Sequence, residues 1–118
     1  MYNNDLGQQG EQMIESYLSE KGYEILERNY RKKTGEIDLI ARSPEKDEMV
    51  FIEVKTRRSQ KYGHPEEAVD RKKLKKIEKT ALFWMNEHNQ TNTLWRIDVL
   101  ALELNGEVKI THLQNASL

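Results

Sequence analysis

Apolar residues recur along this chain with two different periods. Over residues 7–21 they return every three or four positions, so that Gly7, Gly10, Ile14, Tyr17 and Leu18 share one stripe of a helix, and Gly22 is suited to the left-handed turn that ends it. Over residues 23–30, 35–42 and 49–56 the period shortens to two, which predicts three strands separated by a basic turn at 31–34 and by a turn containing Pro44. A helical period resumes from about residue 65 to 89. Pro65 suits its first turn, Glu66 and Glu67 suit its dipole, and Leu74, Ile77, Ala81, Trp84 and Met85 form its apolar stripe. Residues 95–104 and 107–113 read as two further strands joined by the hairpin signal Asn105-Gly106.

This order, α-β-β-β-α-β-β, predicts an antiparallel meander followed by a helical crossover long enough for parallel pairing. The fold class is α/β: a mixed five-stranded sheet flanked by helices. A chain of 118 residues supports one core, so residues 1–118 are expected to form a single domain, with its centre at about 7–104.

Acidic residues interrupt the best strands, in "GEIDLIAR" and "VFIEVKTR". Alternation puts Ile37, Leu39 and Ala41 on one face and Glu36, Asp38 and Ile40 on the other. Likewise Val50, Ile52 and Val54 oppose Phe51, Glu53 and Lys55. If the two strands form a hairpin, the apolar rows make one core layer and Asp38, Glu53 and Lys55 share the other side, where Ile40 and Phe51 imply partial cover and therefore a cleft. Glu11 falls on the apolar stripe of the first helix, where a carboxylate is costly unless paired. Gly7 and Gly10 on that stripe allow close approach to the sheet, whereas Glu15 and Glu20 lie outside it and read as solubilising.

Carboxylates converging with a lysine are the hard oxygen set preferred by Mg2+ or Mn2+, and a lysine beside them can orient or deprotonate water or neutralise charge at phosphorus. The competing reading is a solubilising E-x-K alternation on an exposed strand. Asp98 either joins such a site or caps strand pairing.

Hydrophobic residues make up 36% and charged residues 33%, with a net charge of −1 and no cysteine, which removes disulfides, thiolate zinc sites and cysteine nucleophiles. No apolar run is long enough to span a membrane and the start lacks a signal-peptide pattern, so a cytoplasmic protein without membrane contact is expected. Between residues 55 and 79 stand ten basic residues against four acidic ones, and a second basic knot, "RNYRKK", spans 28–33. These patches are either solvated surface or a phosphate-binding face. Arg57, Arg58 and the turn Arg31, Lys32 and Lys33, with Arg28 beside it, adjoin the acid-bearing strands and are the first candidates for nucleic-acid contact. Lys72, Lys75, Lys76 and Lys79, opposite the apolar stripe of the long helix, come next. Trp84 and Trp95 read as core residues, and His64, His88 and His112 lack metal-ligand spacing.

"GEQ" (10–12), "RNYR" (28–31), "GEIDLIA" (35–41), "FIEVKTR" (51–57), "YGHPEEAV" (62–69) and "RIDVLAL" (96–102) closely resemble the YraN-like family of uncharacterised bacterial proteins, and through it the PD-(D/E)XK nuclease superfamily and archaeal Holliday-junction resolvases. The resemblance implies a restriction-endonuclease-like core. Asp38 would be the motif aspartate, Glu53 and Lys55 the E-x-K pair, and Glu11 the first-helix glutamate, with the Val54 carbonyl completing the shell of a Mg2+ or Mn2+ ion. Ile37 stands where the superfamily's name-giving proline would be. The implied activity is metal-dependent cleavage of DNA, branched DNA included, by a homodimer. The alternatives are a catalytically silent nucleic-acid-binding protein on the same scaffold and a protein-interaction module whose acids are structural.

Overall fold

The computed structural model describes residues 6–45, 47–57 and 70–116. Its elements run α1 (Leu6–Glu20), β1 (Glu24–Lys32), β2 (Gly35–Arg42), β3 (Met49–Arg57), α2 (Arg71–Glu87), β4 (Trp95–Asn105) and β5 (Glu107–Leu113). The five strands form one sheet in sequence order. β1–β2, β2–β3 and β4–β5 are antiparallel, and β3–β4, the pair joined through α2, is parallel. The architecture is therefore the mixed, helix-flanked sheet read from the sequence. Among the described residues no helix is long and apolar enough to cross a membrane.

Each face of the sheet carries its own core. Toward α1, Ile14 and Leu18 pack on Leu39, Ala41, Val50, Ile52, Leu100 and Leu102. Toward α2, Ile77, Ala81, Trp84 and Met85 pack on Tyr30, Ile37, Ile40, Met49, Phe51 and Ile97. Both tryptophans serve this second core: Trp84 meets Phe51 edge-on and donates to Glu27 at 2.9 Å, and Trp95 packs edge-on against Phe51 from the other side. His88 stacks on Trp84 with 4.0 Å between ring centroids.

Three expectations are corrected. First, α2 begins at Arg71 rather than near residue 65. Asp70 is extended (φ −94°, ψ 178°) and its carboxylate accepts the Lys73 N–H at 2.9 Å, which makes it the N-cap. Residues 65–69, the rest of the "YGHPEEAV" motif and Arg58 lie outside the described residues. Second, Ile37 does not share a face with Leu39 and Ala41 but joins the α2-side core. Ile37 pairs with Tyr30, itself in that core, next to the hairpin turn that is held on α2, where Thr34 Oγ1 meets Thr80 Oγ1 at 2.6 Å. Third, Glu15 is more than solubilising: both of its oxygens accept from Arg28 at 2.7 Å, tying α1 to β1.

The α1 end rests on its glycine. A Cβ on Gly10 would lie 2.1 Å from Thr56 Oγ1 on β3, so only glycine lets the first turns of α1 cross the end of β3 this closely. Gly22, with φ 92°, closes the helix, and the Gly22 and Tyr23 amides donate to Ser19 and Leu18 carbonyls at 3.0 Å each.

The sheet is also tied by a buried polar network on its α1 side. Asp98 is fully buried and accepts from Arg96 Nε at 3.0 Å, His112 Nε2 at 2.8 Å and the Asn115 N–H at 2.9 Å. Burial alone would push its pKa up, but the bonds from His112, Arg96 and Asn115 outweigh that and hold it below the usual carboxylate range. Facing the Asp98 carboxylate, His112 Nε2 is the donor, and on the other side of the ring His112 Nδ1 lies 3.2 Å from the Tyr17 hydroxyl. Arg96 reaches on to Glu48 at 2.8 Å and to Tyr23 at 3.0 Å. Asp98 thus clasps β4, β5, the segment after β5 and, through His112, α1.

Two stability measurements check these contacts by urea unfolding. Gly→Ala in an open helix gains about 0.5–1 kcal/mol, whereas Gly10→Ala is expected to lose about 1–3 kcal/mol through overpacking against Thr56. A gain would mean that α1 stands off β3. Asp98→Ala is expected to cost about 3–5 kcal/mol, because Arg96 Nε, His112 Nε2 and the Asn115 N–H lose their buried acceptor together; a loss under 1 kcal/mol would show that water replaces the carboxylate freely.

Candidate functional site

The chemistry-bearing residues meet where the ladder between β2 and β3 stops. The pairing runs from Arg42–Met49 to Leu39–Ile52 and no further, although β2 starts at Gly35 and β3 continues to Arg57. β3 stays paired with β4 as far as Arg57–Glu103, so the sheet forks between β2 and β3. Asp38 and Glu53 are the first residue on each arm, one step beyond the last pair. The fork leaves β3 amides without ladder partners, and the Asp38 Oδ2 atom takes one of them, accepting the Val54 N–H at 2.7 Å. In extended backbone a residue's N–H and C=O point to the same neighbour, so the Val54 carbonyl faces the same opening.

Glu53 projects toward α2 and is 5% exposed. Two ammonium groups attend a single one of its oxygens: Lys55 Nζ at 3.4 Å and Lys73 Nζ at 3.3 Å from Oε2. Asp38 has the opposite surroundings. Burial pushes its carboxyl up to about 7, against the pull of the Val54 hydrogen bond, and the charges of Glu53, Glu11 and Glu36 push the same way. Glu11, half-buried on the α1 turn that crosses Thr56, is therefore close enough to be felt at Asp38. The structure gathers Glu11, Asp38, Glu53 and Lys55 at the mouth of the fork. It adds Glu36, which bonds Arg31 at 3.0 Å, and Lys73. Glu36 was legible as the neighbour two positions from Asp38; Lys73 had no signal, because only the docking of α2 brings it to Glu53. Asp98 lies apart, in its own network.

Among the described residues, no three His, Cys, Asp or Glu side chains are arranged to enclose an ion unaided. That does not disqualify the donor set. Mg2+ is commonly held by one or two carboxylates and keeps waters and substrate oxygens for the rest. Asp38, Glu53 and the Val54 carbonyl could supply such a partial shell, and the ammoniums drawn to Glu53 show that the pocket favours positive charge.

The basic residues divide. Arg28 is bound to Glu15, Arg31 to Glu36, and Lys32 to Glu87 at 2.7 Å while lying over the Tyr30 ring. Arg57 is half-buried at the end of β3, abreast of Glu103. Lys33, Lys72, Lys75, Lys76 and Lys79 are exposed and form no ion pair among the described residues. The two basic patches of the sequence are neighbours here, because Gly35 packs against Lys76 and the Thr34–Thr80 bond holds the hairpin turn on α2.

The raised pKa of Asp38 has a direct consequence for stability. In acid both folded and unfolded chains carry the proton and nothing is lost. As pH climbs through the ordinary carboxylate range the unfolded chain releases its proton first, so stability falls until the folded site also ionises near pH 7. Asp38→Asn cannot ionise and keeps an oxygen for the Val54 amide. In chelator it is expected to be more stable than the wild type by roughly 2–4 kcal/mol at pH 8, with the gain vanishing near pH 4. Equal unfolding curves at pH 8 would refute the raised pKa.

The sequence belongs with others. The model of the uncharacterised protein family UPF0102 matches residues 10–102. A UPF0102 protein of Pelobacter propionicus (strain DSM 2379 / NBRC 103807 / OttBd1) is 44% identical over 116 residues, covering 97% of this chain and 83% of its own length. One from Clostridioides difficile (strain 630) is 45% identical over 116 residues, covering 98% and 99%. One from Syntrophus aciditrophicus (strain SB) is 48% identical over 101 residues, covering 86% and 78%. The matched span runs from the glycine under α1, through both arms of the fork, to the end of the core in β4, and the chain is a member of the UPF0102 family, the YraN-like group its motifs resemble.

Proposed function

We propose that this protein is a metal-dependent DNA endonuclease-like enzyme acting on branched DNA such as four-way junctions. The observation that carries the reading is the fork: two carboxylates from separate strands adjoin at its apex, one of them held by the Val54 amide and pushed up to about 7. Asp38, Glu53 and the Val54 carbonyl would hold Mg2+ or Mn2+, with Glu11 assisting from α1. The ion, when bound, would supply Lewis acidity toward a phosphodiester and a more acidic water. Lys55 keeps its ammonium at Glu53, on the same strand face, and from there orients the attacking water or neutralises charge growing on the phosphorus oxygens. Glu11 and Glu36 tune Asp38 by their charge.

DNA would lie along the adjoining basic patches. Lys33, Lys72, Lys75, Lys76 and Lys79, unpaired within the described residues, take phosphates, and Arg57, at the end of the E-x-K strand, contacts the strand nearest the centre. Arg58, next in sequence and outside the described residues, is proposed as a contact on its charge alone. Arg31 and Lys32 would exchange Glu36 and Glu87 for phosphate, and Arg28 at the far edge of the patch would leave Glu15. Symmetric cutting of a junction requires two such centres, hence a homodimer. A silent DNA-binding protein on the same scaffold is the second reading; the double lysine engagement of Glu53 favours it.

The test incubates the protein with duplex, flapped and four-way-junction DNA in Mg2+, Mn2+ or chelator, beside Asp38→Ala and Lys55→Ala. The expected result is ion-dependent cutting of the junction that falls by at least about 100-fold in each variant and declines as pH falls, because protons compete with the ion for the Asp38 carboxylate. Cutting indifferent to both substitutions overturns the site. Binding without cutting supports the silent scaffold, and no DNA affinity at low salt makes the protein an interaction module.

A further inference from the structure

We infer that Lys73 is a built-in counter-ion of the fork: it holds Glu53 while the centre lacks a divalent cation, and it swings to DNA phosphate when that cation takes the carboxylate. The inference rests on the reading of Asp38 and Glu53 as ion ligands and adds to it a coupling between ion and DNA.

The geometry begins with an imbalance. A carboxylate 5% exposed needs a positive partner, and one ammonium suffices for a single charge. Glu53 has two, both on Oε2, at 3.3 and 3.4 Å. A divalent ion sits about 2.1 Å from such an oxygen. On either oxygen of Glu53 the ion would stand within a few ångström of both ammoniums, and that repulsion favours the departure of one of them.

The two lysines are not equally placed to go. Lys55 stands two residues from Glu53 on the same strand, paired with Ala101 of β4, and its side chain is 30% exposed. Lys73 comes from the neighbouring helix and is 45% exposed. Its backbone is well anchored, because its N–H is the one that the N-cap Asp70 accepts, but its four-carbon stem is free to turn outward. Outward lie Lys72 and Lys76, neighbours on α2 and part of the exposed basic face.

Two consequences follow from charge alone. A monovalent cation replacing Lys73 returns no net charge to the site, whereas a divalent one does, so the exchange itself discriminates against Na+ and K+. Release of Lys73 also adds a phosphate contact, so ion and DNA should strengthen each other's binding by the same factor.

Lys73→Met keeps the stem and removes the charge; Lys73→Arg keeps the charge. Mn2+ binding is measured without DNA by calorimetry at pH 8. Affinity for a fluorescent four-way junction is measured by anisotropy in chelator and in Ca2+. Lys73→Met is expected to bind Mn2+ about 10-fold more tightly than the wild type and to lose most of the Ca2+-induced gain in junction affinity, with Lys73→Arg close to wild type in both. Equal or weaker Mn2+ binding by Lys73→Met overturns the inference while leaving the ion ligands standing. An unchanged Ca2+-induced gain likewise overturns it. Absence of Mn2+ binding in all three proteins overturns the assignment of Asp38 and Glu53 as ligands, and the inference falls with it.

Discussion

One hydrogen bond makes the centre possible. Where β2 leaves β3, the Val54 amide loses the carbonyl that a continuing ladder would have offered, and a buried orphan amide costs free energy comparable to a lost hydrogen bond. The Asp38 carboxylate replaces that carbonyl at 2.7 Å. The replacement pins an acid to the strand that carries Glu53 and points an adjacent carbonyl into the same opening. The contact also has a cost, since it keeps Asp38 inside the protein beside other negative charges, and its raised pKa expresses that cost. The arrangement is stable as a fold and uncomfortable as a charge distribution, a combination that marks a candidate functional site.

The fork stays open because both helices brace it. On one face the hairpin turn is held on α2 through Thr34, Thr80 and Gly35, beside the arm of β2 that has left β3. On the other, α1 crosses the end of β3 at a distance that only Gly10 permits, bringing Glu11 within electrostatic reach of Asp38. The Asp98 network carries the opposite duty on the α1 face. It joins β4, β5 and the chain after β5, and the parallel β3 strand is paired with β4 along its full length. Thus one half of the sheet is welded while the other parts, and the acids sit at the boundary.

Charge is handled differently on the two faces. Asp98 is given as many donors as it can use and is held ionised. Asp38 receives one amide and several like charges, and with its carboxyl pushed up to about 7 it divides between charged and neutral forms near neutral pH. Glu53 lies between these cases, buried and paired with two ammoniums. Of the three, only the fork acids could gain from an added cation, which separates a structural carboxylate from a candidate ligand on electrostatic grounds.

Much of this was legible in the chain. Periods of 3.6 and 2 fixed the element order, the hairpin signal at Asn105-Gly106 and the stop at Gly22, because these depend on local backbone preferences and on which residues seek the core. The helical angle of Glu11 and the alternation of Glu53 and Lys55 were equally readable, being properties of a single element. What the sequence could not express was anything that depends on two elements meeting. The place where β2–β3 pairing stops, the shift of Ile37 to the other face, the reach of Lys73 across from α2, the Arg28–Glu15 tie and the destination of Asp98 all follow from how helices dock on a twisted sheet. Local pattern ranks which face a residue prefers; only packing decides where strands must part and which charges are thereby made neighbours.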